Sequence, residues 1–160
     1  MAENRARTKG EGATVMNANP LAAYRETRVR TASPAQLVVM LYDEAVKQCD
    51  VAGDLMKSDV KKNPQNIEKI NAALGKVQDI ITELMASLDF EAGGEIAENL
   101  FALYVWFSRE LLDANLAKDY EKVGKVRAMI ADLRGAWSEA ATKVQGEVGS
   151  AAPVGVNIAG

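Results

Sequence analysis

Seven aliphatic residues between positions 67 and 88 recur at alternating intervals of three and four. They are Ile67, Ile70, Leu74, Val77, Ile81, Leu84 and Leu88. This spacing puts all seven on one face of an α-helix, because an α-helix has 3.6 residues per turn. The pattern therefore predicts a helix of about six turns with one buried face.

Three further segments show the same alternation. Ser33-Pro34 predicts the start of the first, since serine is a good N-cap and proline suits the first helical position. Its two adjacent stripes are Val38, Leu41, Ala45, Gln48, Ala52 and Leu55, and Val39, Tyr42, Val46, Cys49, Gly53 and Met56. The segment that contains Ile67 is predicted to start near the cap Asn63 followed by Pro64.

The third and fourth segments are predicted at about 95–118 and 120–145. Their apolar faces are Ile96, Leu100, Leu103, Phe107 and Leu111, and then Val123, Val126, Ile130, Leu133, Trp137, Ala140 and Val144. Four amphipathic helices of similar length with short links predict an all-α fold, an antiparallel four-helix bundle over residues 31–145. We expect residues 1–18 to be disordered, 19–30 to form a short N-terminal cap arm, and 146–160 to form a flexible tail.

The composition argues against catalysis. The chain of 160 residues has no histidine, the commonest general base and metal ligand, and a single cysteine, Cys49. It has no phosphate-binding glycine loop, and most carboxylates fall on polar helix faces, so we expect no enzyme, cofactor or metal site. An enzyme that uses carboxylates alone remains a rival hypothesis.

Charge and hydropathy limit the partners. The longest apolar run, residues 100–107, is far shorter than the roughly 20 residues of a membrane-spanning helix. The N-terminus has no apolar signal-peptide stretch, which predicts a cytoplasmic protein without membrane insertion. The net charge of −3 argues against nucleic acid, although residues 1–30 contain six basic and three acidic side chains.

The hydrophobic content exceeds what one bundle core needs. Residues 37–42 and 100–107 are uninterrupted apolar runs that circle a helix completely. Long polar side chains, the arm, a second subunit or a partner's amphipathic helices could cover this surplus. Asn19-Pro20 predicts a short helical turn in the arm, and its apolar side (Leu21, Tyr24 and Val29) could serve as a displaceable lid.

Several of these residues together resemble the FliS family of flagellin-specific export chaperones. At the start they are Asn19-Pro20, Tyr24, Val29, Ser33-Pro34, Leu37 and Met40-Leu41-Tyr42. Later they are residues 80–89, residues 99–104, Asn115, Leu133-Arg134 and Trp137. The resemblance runs in order over about residues 19–145 and leaves out the N-terminal extension and the tail.

The resemblance implies a bundle that binds the disordered C-terminal segment of flagellin in hydrophobic grooves. It implies that the chaperone prevents premature polymerisation in the cytoplasm and presents flagellin to an export gate component of the type III apparatus, without cofactor or ATP. We expect the flagellin groove and cap to involve Tyr24, Val29, Leu37, Leu41, Tyr42, Leu100, Tyr104 and Phe107. The alternative is a dimeric helical-bundle adaptor that binds another amphipathic partner, with the free protein a homodimer.

Overall fold

The computed structural model describes the backbone of residues 33–159 and the side chains of residues 33–144. This part of the chain is entirely helical apart from short connections and contains no strand, which confirms the predicted all-α class. Its four helices are α1 Pro34–Lys57, α2 Gln65–Ala86, α3 Phe90–Ala117 and α4 Tyr120–Ala159.

The directions of α1 and α4 follow from two ion pairs. Arg127 of α4 contacts Asp50 of α1 at 2.9 Å, and Arg134 contacts Asp43 at 2.6 Å. From the first pair to the second, the position on α4 advances by seven residues while the position on α1 goes back by seven. The two helices are antiparallel and in contact over at least two turns.

The helices are joined by short connections at residues 58–64, 87–89 and 118–119. Asp89 caps α3, since its carboxylate accepts hydrogen bonds from the backbone N–H groups of Glu91 and Ala92. Asp119 does the same for the first turn of α4. Connections this short force successive helices to run antiparallel, and α1 and α3 are accordingly parallel.

The predicted helix starts hold at α1, which begins at Pro34, and differ slightly at α2, which begins at Gln65. The Asn63 side chain does not cap α2, whose N-cap position is Pro64 with no side-chain capping bond; the Asn63 amide N–H donates to the backbone carbonyl of Asp59. The fourth helix continues beyond the predicted end at 145 to Ala159. That residues 146–160 form a flexible tail stays a prediction, and residues 1–18 and the arm lie outside the described residues.

Each helix contributes one face to a single core. From α2 the core takes Ile70, Leu74, Val77, Ile81 and Leu84, as predicted. From α1 it takes Tyr42, Ala45, Gln48, Cys49, Ala52 and Met56, so the two predicted stripes contribute jointly to one broad face. From α3 and α4 it takes Tyr104, Phe107, Leu111, Ala114, Val123, Val126 and Ile130.

Four predicted core positions are wrong. Ile67, in the first turn of α2, is 38% exposed. Ile96 is 71% exposed, at the end of α3 where the helix kinks. Near the middle of α4, Ala141 is buried while Ala140 and Val144 are exposed. A strict seven-residue repeat drifts by about 20° per heptad around a straight helix, so three heptads carry the predicted stripe off the core side.

Candidate partner-binding surface

The face of α3 that points away from the core carries four apolar residues, with Ser108 and Arg109 in the interval between the second and the third. Phe101, Leu112 and Leu116 are 41%, 55% and 79% exposed, and Val105 between them is half-buried. These four residues lie at intervals of four, seven and four, which keeps them on one side of the helix. We call them the outer stripe; it is about 22 Å long at 1.5 Å per residue.

A kink shapes the N-terminal end of the outer stripe. Phe90 and Phe101 pack edge to face with ring centroids 6.0 Å apart. In a straight helix two residues separated by eleven positions would lie about 16 Å apart along the axis. The non-helical backbone of Gly94 (φ 50°, ψ −126°) breaks the helix and brings Phe90 back towards Phe101.

A second candidate surface is the groove between α1 and α2, with a volume of about 470 Å³. Val51, Leu55, Ala72 and Ala73 give it an apolar lining, and Gln48, Asp54, Lys69 and Lys76 provide its polar groups. We call this the α1–α2 groove. It combines aliphatic contact with charges of both signs, which suits an amphipathic helix better than a small ligand.

A buried tyrosine pair joins α1 to α3 beneath these surfaces. The hydroxyl groups of Tyr42 and Tyr104 are hydrogen-bonded at 2.5 Å, and both side chains are almost completely buried. Burial raises the pKa of both phenols above the usual range; the bond to Tyr104 raises the pKa of Tyr42 further, and one to Trp137 lowers it. Tyr42, Tyr104 and Trp137 belong to three separate motifs of the sequence, and the fold brings them together.

The predicted site residues divide into three groups. Tyr42, Tyr104 and Phe107 are in the core, at 0%, 1% and 1% exposure, while Leu37, Leu41 and Leu100 are half-buried. Tyr24 and Val29 lie outside the described residues. Leu41 precedes Gln48 by seven positions and Leu37 precedes Leu55 by eighteen, so both lie on the α1 edge that lines the α1–α2 groove.

The sequence interpretation did not single out the outer stripe or Val51, which is 40% exposed in the α1–α2 groove. The signal was present for the stripe. Its residues repeat with helical spacing on the third segment, on a different side from the predicted core residues Phe107 and Leu111. Because α3 has two apolar faces, its packing against the neighbouring helices decides how much of each is buried.

The described residues offer little for chemistry. Burial raises the pKa of the Cys49 thiol to about 12, with a further contribution from Asp50, so the thiol is protonated and enclosed. No group of histidine, cysteine or carboxylate side chains in residues 33–144 is arranged to hold a metal ion. Within the described helices none is long and apolar enough to cross a membrane.

Comparison with known proteins gives one consistent result. The family described as Flagellar protein FliS matches residues 17–144. The flagellar secretion chaperone FliS of Bacillus subtilis (strain 168) is 32% identical over 122 residues, 76% of this chain and 86% of the relative. Those of Salmonella typhimurium (35%; 74% of this chain and 84% of the relative) and Escherichia coli K12 (36%; 71% and 80%) are similar to it as well.

Proposed function

The chain belongs to the FliS family of flagellar secretion chaperones, which are not enzymes, and from this premise we propose that its partner is flagellin. In this proposal the bundle binds the disordered C-terminal segment of flagellin in the cytoplasm. Occupation of that segment prevents premature polymerisation. The complex then delivers flagellin to a component of the flagellar export gate.

The observation that carries the proposal is the exposed apolar surface on α3. A disordered segment that folds on binding loses several kcal/mol in ordering, so it needs a long apolar track rather than one pocket. The outer stripe extends over about four turns, which matches one amphipathic helix that places its apolar residues at intervals of three and four. Leu116, at 79% exposure, has the most apolar surface to bury.

The α1–α2 groove would accept a second part of the same segment. Its lining is aliphatic around Val51 and Leu55, and Lys69 and Lys76 on α2 offer positive charge to acidic residues of the partner. Leu37 and Leu41 would extend the contact towards the start of α1. One flagellin segment could thus bind to two sides of the bundle.

The core residues among the predicted site have a supporting role in this proposal. Tyr42, Tyr104 and Phe107 are enclosed, so they would hold α1 and α3 in place beneath the bound segment, with half-buried Leu100 beside them on α3. Tyr24 and Val29 of the arm would act as the cap that flagellin displaces.

The test is calorimetric titration of the full chain with the C-terminal segment of flagellin from the same organism. We expect saturable one-to-one binding, a negative heat-capacity change and added helicity by circular dichroism. Leu116→Glu should weaken binding at least tenfold, because it places a charge in the outer stripe without touching the core. Met129→Glu is the matched control, since Met129 is an exposed apolar residue of α4 and the charge change is the same.

Equal loss in the two variants would contradict the outer stripe as the binding surface. Unchanged binding by Leu116→Glu, with the fold intact by circular dichroism, would contradict it too. No binding by the unaltered chain would contradict the proposal as a whole.

A dimeric adaptor is the second candidate, favoured by the symmetry of the outer stripe. Phe101 and Leu116 lie at equal distances from its midpoint, and so do Val105 and Leu112. A two-fold interface between antiparallel copies of α3 would pair each residue with its counterpart. Analytical ultracentrifugation decides this: a dimer that Leu116→Glu dissociates and flagellin does not would replace the chaperone proposal.

A further inference from the structure

A pair of glycines separates the first turn of α3 from the rest of the helix. Gly94 has a φ of 50°, on the side of backbone space that residues with a side chain rarely adopt. At Gly93 an added Cβ would lie 2.8 Å from the Cβ of Ala97, closer than atoms can approach. Both positions therefore need glycine, one for the change of direction and one for the close approach.

The turn before the glycines is held together by its own bonds. The Asp89 carboxylate accepts from the N–H groups of Glu91 and Ala92, and its backbone carbonyl accepts from the N–H of Gly93 at 2.8 Å. None of these bonds involves another helix. Residues 89–93 can consequently move as a unit, pivoting at Gly94 and at the link between Leu88 and Asp89, without losing these bonds.

One aromatic contact closes this unit over the outer stripe. Phe90 packs on Phe101, yet the two side chains remain 49% and 41% exposed. The edge-to-face contact covers the face of one ring and an edge of the other, and water reaches the rest of both side chains. An apolar side chain of a partner could replace the Phe90 ring on Phe101 with little net change in buried area.

We propose that residues 89–93 are a lid on the N-terminal end of the outer stripe. In the free protein Phe90 covers Phe101; when a partner helix binds along the outer stripe, the lid turns about Gly94 and the partner takes the place of Phe90. The lid rests on the proposed function, because it regulates the same surface. Because only molecules with an open lid can bind, the apparent affinity equals the affinity of the open form multiplied by the fraction of molecules in which the lid is open.

The first test compares two alanine variants by calorimetric titration with the flagellin segment. Phe90→Ala removes the competitor and leaves the outer stripe complete, so binding should tighten by about twofold to tenfold if the lid is closed in half to nine-tenths of molecules. Phe101→Ala is the matched control and should weaken binding, since it removes the surface for which lid and partner compete. Weaker or unchanged binding by Phe90→Ala would overturn the lid.

The second test reads the lid directly by nuclear magnetic resonance. Ring protons of Phe90 and Phe101 should show a nuclear Overhauser contact in the free protein, and the contact should disappear when flagellin is bound. A contact that persists in the complex would overturn the proposal. Gly94→Ala should lose the contact in the free protein because alanine is strained at a φ of 50°, whereas Gly124→Ala, in open space on α4, should keep it.

A chain that does not bind flagellin would leave the free-protein measurements to decide. Relaxation dispersion should then detect microsecond-to-millisecond exchange at residues 90–93 that is absent from residues 104–111 of the same helix. If residues 90–93 showed no more exchange than residues 104–111, the lid proposal would be wrong. Failure of the proposed function alone would instead show as exchange in the turn without any heat of binding.

Discussion

The tyrosine pair between α1 and α3 leads to an asymmetric prediction about stability. The hydroxyl of Tyr42 is hydrogen-bonded to that of Tyr104, and the Trp137 side chain is close enough to lower the pKa of Tyr42. Among the described residues Tyr104 bonds to Tyr42 alone. Tyr42→Phe therefore leaves the buried Tyr104 hydroxyl without a partner, but after Tyr104→Phe the hydroxyl of Tyr42 still has the Trp137 N–H nearby to bond with. The two substitutions delete the same atom type from the same hydrogen bond, yet they should differ in their cost.

The magnitudes follow from the energetics of buried polar groups. An unsatisfied buried hydroxyl lowers the free energy of unfolding by about 1–3 kcal/mol, whereas a hydrogen bond lost without an orphaned group lowers it by about 0.5–1.5 kcal/mol. The double variant removes both hydroxyls, so it should be no less stable than Tyr42→Phe alone. A difference of 1 kcal/mol corresponds to roughly 2–4 °C in melting temperature for a chain of this size.

The assay is urea unfolding at pH 7, followed by circular dichroism at 222 nm, for the unaltered protein, both single variants and the double variant. The slope of the free energy against urea should be common to all four, which shows that only stability has changed. Tyrosine ionisation does not interfere, because the pKa of each phenol is raised and lies far above the assay pH. A larger cost for Tyr104→Phe than for Tyr42→Phe would refute the reasoning, as would a double variant with fully additive losses.

Two further predictions concern pH and surface charge. The pKa of Cys49 is raised from 9 to about 12 in the folded chain, so the unfolded chain loses its thiol proton first and stability should fall as pH rises from about 9 towards 12. By pH 10 the loss is about 1.4 kcal/mol; urea midpoints at pH 8 and 10 should show a smaller loss in Cys49→Ala, and an identical loss would contradict this. Asp50→Asn should reduce stability by about 0.2–1 kcal/mol by breaking the exposed pair with Arg127, less so in 1 M salt. Thermal melts at low and high salt measure it, and a salt-independent cost would mean that the ion pair is not its source.

Much of the architecture could be read before any coordinates. The repeat from Ile70 to Leu84 predicts a helix and its buried face because every position agrees with one period and no competing face is apolar. Ser33-Pro34 marks the start of α1 for an equally local reason, since caps act within one turn. The family resemblance, carried by short motifs, is confirmed by the family match over residues 17–144.

Other features depend on distances that local patterns do not contain. The burial of Ala141 in place of Ala140 results from the drift of a straight helix against its neighbours, which accumulates over three heptads. The packing of Phe90 on Phe101 depends on the kink at Gly94. The hydrogen bond between Tyr42 and Tyr104 joins residues 62 positions apart and required the whole bundle.

The sequence by itself determined four amphipathic helices, their approximate limits and their antiparallel order, because periodicity, capping and link length are local properties. For α3 it indicated the buried face through Phe107 and Leu111, but it did not determine that a second set of apolar residues on the same helix stays exposed. Phe101 and Leu112 repeat with the same helical period as Phe107 and Leu111, and side-chain type does not distinguish the two faces. Only the packing of α3 against α2 and α4 decided it: one face is enclosed with Tyr104 in the core, and the other stays exposed as the candidate surface for a partner.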